Sequence, residues 1–295
     1  MSDNNSPFSD VQDVVQTLGA HEYLADRGLA TAIHLSIALE RPLFLEGEAG
    51  VGKTDVARVL AEILKTDLIR LQCYEGIDAS QALYDWNYPK QLLRIRATEA
   101  SDPDAVVDDV FSDDFLIERP LLRALRSPGR PVLLLDEIDR ADDEFEAFLL
   151  ELLGEFAVTI PEIGRIAAVE PPVVILTSNR TRDVHDALKR RCCYHWIDHP
   201  DIDREAAIIR LRVPGITDHL ASAVARAVSA LRSLHLTKPP GIAESIDWAR
   251  ALKFLGADTV DMENSRDTLG WVLKHEEDIQ RAGCSLSSIL SGENA

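Results

Sequence analysis

Eight consecutive residues carry the clearest chemistry in the chain. Gly47, Glu48, Ala49, Gly50, Val51, Gly52, Lys53 and Thr54 fit the spacing G-x-x-x-x-G-K-[ST] at every position. Glycines at that spacing let the backbone curl so that its N–H groups point at phosphate oxygens, and the loop feeds the positive end of a helix. Lys53 is expected to reach the β and γ phosphates of a nucleotide, and the Thr54 hydroxyl to ligate Mg²⁺. A chance Gly-rich turn is the plain alternative. The flanks weigh against it: the short apolar run Leu43-Phe44-Leu45 precedes the loop, and a helical stretch from Lys53 to Leu64 follows.

Leu133-Leu134-Leu135-Asp136-Glu137 is an apolar run ending in two carboxylates. A buried parallel strand delivers its C-terminal residues to the ligand crevice. Asp136 is therefore expected to hold Mg²⁺ through water, and Glu137 to orient and deprotonate an attacking water. Adjacent carboxylates also open helices as ordinary caps, a reading the phosphate loop disfavours. Leu176-Thr177-Ser178-Asn179 ends a further apolar run in an amide. Asn179 is placed there to position the water or touch the γ-phosphate, although Asn alone is a common turn residue. Arg190 and Arg191 close a short helical stretch. They are either solvated charge or, in a ring of copies, groups facing the γ-phosphate held by the next copy, where an arginine supplied in trans stabilises the transition state. Arg191 is expected to be that finger and Arg190 its structural partner.

Elements of fixed type must hold these residues. Strand-length apolar runs at Leu43–Leu45, Leu68–Leu71, Pro131–Leu135 and Val173–Leu176 alternate with helical periodicity, which predicts an α/β fold with a parallel sheet flanked by helices. Helical spacing also covers Val11 to Leu39, up to Pro42. After Pro200 only amphipathic helices are read: Arg204 to Leu211, His219 to Leu234, Glu244 to Leu255 and Asp267 to Ala282. The division expected is a flexible start over 1–10, a nucleotide-binding α/β domain over 11–200, and a smaller all-helical lid domain over 201–295. The composition fits a folded protein: 295 residues, 46% hydrophobic and 27% charged. With 31 Lys+Arg against 50 Asp+Glu, the net charge of −19 argues against nucleic acid or an anionic membrane surface as the main partner. Four cysteines are too few for a disulfide scaffold, and no apolar run approaches a bilayer span, so a cytoplasmic protein without membrane insertion is expected.

The order of phosphate loop, Asp-Glu strand end, Ser-Asn strand end, paired arginines and helical lid resembles the AAA+ ATPases, over roughly residues 20–285. Two further features narrow the likeness. The long segment at about 73–118 looks like the helix-two insert, and the stretch at about 156–168, with Pro161 and Gly164 at its tip, looks like the hairpin before sensor one. That combination is similar to the MoxR family. Tyr84-Asp85-Trp86-Asn87-Tyr88-Pro89 and Asp186-Ala187-Leu188-Lys189-Arg190-Arg191-Cys192 look closest to the branch containing the carbon monoxide dehydrogenase maturation ATPase. The resemblance implies ATP with Mg²⁺, a ring homo-oligomer such as a hexamer, and chaperone-like work on a client such as a metalloenzyme. It also implies a von Willebrand A domain protein as companion. MoxR relatives carry a sensor-two arginine in a Ser-Pro-Arg helix start. Here the region reads Ile242-Ala243-Glu244-Ser245-Ile246-Asp247-Trp248-Ala249-Arg250, with Ile246 where the arginine falls. Arg250 either substitutes one turn later or is a solvated helix charge.

Other signals are read plainly. Cys192-Cys193 suits two small buried residues at a strand start better than a redox or metal pair. His195 and His199 lie too far apart in an extended segment to share a metal, and no metal beyond Mg²⁺ is assigned. Tyr84, Trp86 and Tyr88 alternate, so in an extended segment they share a face, more as an anchor for the insert than as a partner-contacting stripe. A nucleic-acid motor, like the GTP-using restriction motors of AAA+ ancestry, is the second reading, and a non-hydrolysing nucleotide sensor the third. The hairpin offers the former only Arg165. Eight acids without a Lys or Arg crowd 99–118 (Glu99, Asp102, Asp104, Asp108, Asp109, Asp113, Asp114, Glu118), either as a solvated loop or, if the insert lines a pore, as a surface for a basic client segment.

Overall fold

The computed structural model describes residues 7–98 and 110–291. The expected flexible start falls partly outside this range, and so do five of the eight clustered acids. Of the remaining three, Asp113 and Glu118 both receive Arg126, at 2.7 and 3.2 Å.

Two compact units are present. The first comprises the chain up to Thr17, Asp26–Glu46 and Thr54–Trp196; the second comprises Leu18–Ala25, Gly47–Lys53 and the chain from Ile197 onward. The first unit is built on a five-stranded sheet of β1 (Leu43–Gly47), β2 (Leu68–Gln72), β5 (Val132–Asp136), β8 (Val173–Ser178) and β9 (Cys193–Ile197), in the order β2-β5-β8-β1-β9. The pairs β2–β5, β5–β8 and β8–β1 are parallel. β1, β5 and β8 are buried along their whole length, which is why they read as continuous apolar runs. β2, at the edge, alternates: Ile69 and Leu71 are buried, while Leu68, Arg70 and Gln72 are exposed. Helices α1 (Val11–Ala20), α2 (Arg27–Ala38) and α3 (Lys53–Leu64) precede β2. The single helical run expected up to Leu39 is thus two helices. Glu22 takes a left-handed φ of 61° and Asp26 caps α2, its carboxylate accepting from the Leu29 N–H at 2.7 Å.

Between β2 and β5 lie α4 (Ala79–Leu83), β3 (Tyr84–Trp86), α5 (Tyr88–Thr98), β4 (Leu116–Glu118) and α6 (Pro120–Arg126), with β3 and β4 pairing antiparallel. Trp86 is buried there, its ring 5.2 Å from Phe111 and 6.0 Å from Tyr84. Tyr88 does not share that face. The Asn87 side chain accepts the Lys90 N–H at 3.1 Å, so Tyr88 opens α5 instead of continuing the strand, and it is exposed. After β5 come α7 (Asp143–Glu155), the antiparallel pair β6 (Ala157–Ile160) and β7 (Gly164–Ala167), then β8 and α8 (Asp186–Arg191). Gly164 turns the hairpin tip with φ 97°. One core joins Phe44, Leu133, Leu135 and Leu176 from the sheet to Leu121, Leu122, Phe145 and Leu149 from the helices.

The second unit holds α9 (Ile202–Arg212), α10 (Asp218–Ser233), α11 (Ile242–Phe254), α12 (Met262–Val272) and α13 (Glu276–Ser291). The helix expected over 267–282 is split: Asp261 caps α12, and Leu273 leaves it in extended backbone. Leu220, Val224, Val228 and Leu231 recur on one face of α10 and pack with Trp248, Leu252, Leu269 and Leu286 in a second core. An ion pair sits inside this unit. Glu205, fully buried, takes both Arg232 nitrogens at 2.6 and 2.7 Å and the Ser245 hydroxyl at 2.6 Å, and Arg232 Nε donates to the Pro240 carbonyl at 2.8 Å. Among the described residues no helix is long and apolar enough to cross a membrane.

Candidate functional site: phosphate loop and acidic strand end

β1 runs straight into the phosphate loop, and α3 begins at Lys53. Gly50 and Gly52 have φ of 78° and 92°, a left-handed backbone that other residues adopt only under strain. Gly47 is glycine for space: a Cβ there would lie 2.3 Å from the Ile197 carbonyl oxygen. Lys53, only 6% exposed, curls back on its loop and donates to the carbonyls of Gly47 and Glu48 at 2.7 and 2.6 Å. A buried ammonium needs such partners, and phosphate oxygens are the stronger alternative.

The start of α11 meets the same loop through its backbone and the Glu244 carboxylate. Ile242 N–H donates to the Gly50 carbonyl at 3.0 Å, and a Cβ on Gly241 would lie 2.7 Å from the Ala49 oxygen and 2.9 Å from Gly50 Cα. The Glu244 carboxylate reaches back to accept the Gly241 N–H at 3.0 Å and lies within 3.2 Å of where a Gly50 Cβ would be. Gly241 caps α11, and Ile246, one turn into the helix, is half-buried against the helical core. Arg250 is tied to Asp247 at 3.2 Å and to the Arg212 carbonyl at 3.3 Å. In the same unit, burial first and then the Arg232 charge push the His199 imidazole down to about 4, and its buried Nδ1 has no partner among the described residues.

Thr54, the residue after Lys53, joins the acidic strand end. Its hydroxyl donates to Asp136 Oδ1 at 3.0 Å, and Thr177 Oγ1 donates to the same oxygen at 2.5 Å. Asp136 is 4% exposed. A threonine hydroxyl against a buried carboxylate is an oxygen donor set that suits Mg²⁺, with phosphate and water oxygens completing the shell. Glu137 sits in a left-handed conformation, φ 55° and ψ 51°, its N–H held by Thr177 Oγ1 at 3.0 Å. That unusual backbone turns its side chain off the strand line. The Glu137 carboxylate meets Arg140 Nε at 2.8 Å. Asp139, buried, accepts from the N–H groups of Asn179 at 3.3 Å and Thr181 at 2.9 Å, and so fastens the Asn179 loop to the strand end. Glu46, also buried, receives Ser178 at 3.3 Å and the Tyr194 hydroxyl at 2.8 Å. Burial and that bond push the Tyr194 phenol up to about 12.

The two arginines have different surroundings within their own chain. Arg191 Nη1 donates to the Leu150 carbonyl, and its guanidinium lies where a Cβ on Gly154 would be, so it caps the C-terminal end of α7 in its own chain. Arg190 is exposed and makes no hydrogen bond or ion pair among the described residues. Sequence reasoning passed over Arg70, Asp139, Arg140, Thr177 and Gly241. Asp139 and Arg140 follow the Asp-Glu pair directly, and a lone arginine inside the apolar run Leu68–Leu71 was a signal in itself.

A parallel sheet with this strand order, a glycine-rich loop at the end of β1 and a paired carboxylate at the end of β5 define a P-loop nucleoside triphosphatase. Residues 42–192, just over half of the chain, match the AAA domain family, dynein-related subfamily. The chain belongs to that family and is an AAA+ ATPase. It is 28% identical over 180 residues to the mitochondrial chaperone protein ClpB3 of Oryza sativa subsp. japonica, a match covering 57% of this chain but only 16% of that much longer protein. It is 23% identical over 220 residues to an uncharacterised protein of Staphylococcus saprophyticus, covering 72% of this chain and 76% of that one. In structure, a substituted form of Thermotoga maritima RuvB overlays 98% of this chain and 80% of its own with a TM-score of 0.50 at 16% identity, a likeness of fold.

Proposed function

We propose that the protein is a Mg²⁺-dependent ATPase that works as a ring of identical copies, such as a hexamer, and uses hydrolysis to remodel a client protein complex. The observation that carries the reading is the Thr54 hydroxyl 3.0 Å from Asp136, one residue beyond the buried Lys53. Lys53 exchanges its loop carbonyls for the β and γ phosphate oxygens. Mg²⁺, when bound through Thr54 and Asp136, supplies charge neutralisation across those oxygens. Glu137 leaves Arg140 and takes the proton of the water that attacks the γ-phosphorus; the bond from that phosphorus to the β–γ bridging oxygen breaks. Asn179, held by Asp139, orients the water. Arg190 enters the neighbouring copy's site in trans, while Arg191 secures the helix that carries it.

The two inserts and the Arg-Arg-Cys stretch support a MoxR-type assignment, in the branch of the carbon monoxide dehydrogenase maturation ATPase. On that assignment the companion is a von Willebrand A domain protein, the client a metalloenzyme, and the location cytoplasmic. The chaperone relative supports a protein client. A nucleic-acid track is disfavoured by the charge of −19 and by Arg165, the hairpin's arginine, which is paired with Glu155 at 2.9 Å. The test is capture from native cells with Glu137→Gln held on ATP. Co-elution of a von Willebrand A domain protein and a metalloenzyme subunit is expected; DNA or a nuclease would replace this reading with the motor.

A further inference from the structure

Asp136 has a second partner that the hydrolysis scheme does not use. On the edge strand β2, Arg70 lies opposite Leu134 and Gln72 opposite Asp136, so Arg70 stands two residues short of the strand end. Its guanidinium reaches forward along the exposed side of the strand, and Nη2 donates to Asp136 Oδ2 at 2.5 Å and to Gln72 Oε1 at 2.5 Å. The carboxylate is thus divided. Oδ1 takes the Thr54 and Thr177 hydroxyls, and Oδ2 takes a full positive charge.

Two cations cannot both draw on one buried carboxylate without repelling each other. The Thr54–Asp136 pair that suits Mg²⁺ is the same pair whose charge Arg70 already balances. The Arg70 side chain is 53% exposed, and a half-exposed ion pair is easily exchanged for water. Gln72 offers the guanidinium a neutral partner on its own strand when it lets go. We infer that Arg70 is the resting counter-ion of Asp136, that it leaves Oδ2 when Mg²⁺ and a nucleoside triphosphate bind, and that it thereby sets the Mg²⁺ concentration the protein requires. Arg70 is a positioning residue acting through Asp136. The inference rests on the nucleotide reading above.

The experiment is binding of a fluorescent ATP analogue to the full chain, titrated with Mg²⁺, for wild type, Arg70→Gln and Arg70→Lys. Arg70→Gln is expected to lower the half-saturating Mg²⁺ concentration roughly fivefold to tenfold. Arg70→Lys keeps the charge without the planar fork and should stay near wild type. An unchanged or raised Mg²⁺ requirement in Arg70→Gln would overturn the inference, because a merely structural role lowers the melting temperature of both variants and leaves the Mg²⁺ midpoint alone. Should the variants fail to fold, a crystal structure of the wild-type protein with Mg²⁺ and a non-hydrolysable ATP analogue decides. A guanidinium more than about 4 Å from Asp136 supports the inference, and one still on Oδ2 overturns it. No nucleotide binding by wild type at any Mg²⁺ concentration would sink the nucleotide reading itself, and this inference with it.

Discussion

The end of the sheet and the start of α11 hold their parts of the chemistry in different ways. At the strand ends, the chemistry lies in side chains: Asp136, Asp139 and Glu46 each meet a hydroxyl or an N–H drawn from another segment, and Glu137 meets Arg140 three residues on. At α11 it lies in the backbone. Gly241 has no side chain, a Cβ there would collide with Ala49 and Gly50, and Ile242 contributes an N–H to the Gly50 carbonyl. The first place depends on charge and residue type, whereas the second depends on residue size. Beneath α11, the buried Glu205–Arg232 pair holds the Pro240 carbonyl and so fixes where Gly241 sits.

This contrast can be broken at either end. The largest effect belongs to the side-chain half. Lys53→Ala should abolish nucleotide binding in equilibrium titrations, since an uncompensated triphosphate is left in the loop; retained binding would remove Lys53 from the phosphates. Next come the arginines. Arg190→Ala should lower steady-state ATPase turnover about 10³-fold with an unchanged melting temperature, as loss of a trans arginine does. Arg191→Ala should instead lower the melting temperature. The opposite pattern would return the finger to Arg191.

For the backbone half, Gly241→Ala should weaken nucleotide affinity about tenfold, since even one methyl group displaces the α11 start by forcing strain of the order of 1–3 kcal/mol. Arg232→Met leaves Glu205 buried and unpaired, and denaturant titration should show a loss of about 3–5 kcal/mol. Equal stability would mean that the pair does not support the helix start. The smallest effect is the pH dependence of His199. Its folded-state value of about 4 lies below the ordinary 6.5, so the unfolded chain binds the extra proton between them. Its contribution is therefore present above pH 6.5 and lost as the pH falls toward 4. His199→Asn should flatten the melting-temperature profile across that window.

The same contrast explains what could be read before the fold was known. Lys53, Thr54, Asp136 and Glu137 announce themselves because their chemistry is written in residue type and spacing. The buried strands β1, β5 and β8 announce themselves because burial on both faces leaves an unbroken apolar run. Arg70 was legible only as an oddity on an alternating edge strand, since its partner Asp136 is 66 residues away in sequence. The surroundings of Arg190 and Arg191 differ because Leu150 and Gly154 lie beneath one guanidinium, which no local pattern encodes. Gly241 gives no local signal in sequence, because what matters there is the lack of a side chain beside Ala49 and Gly50.

The central claim is that Glu137 activates water on a triphosphate held by Lys53, Thr54 and Asp136. A single-turnover assay with radiolabelled ATP and excess enzyme tests it most directly. Glu137→Gln should bind ATP with wild-type affinity and release phosphate about 10²–10⁴-fold more slowly. Phosphate release at the wild-type rate from Glu137→Gln would contradict the account.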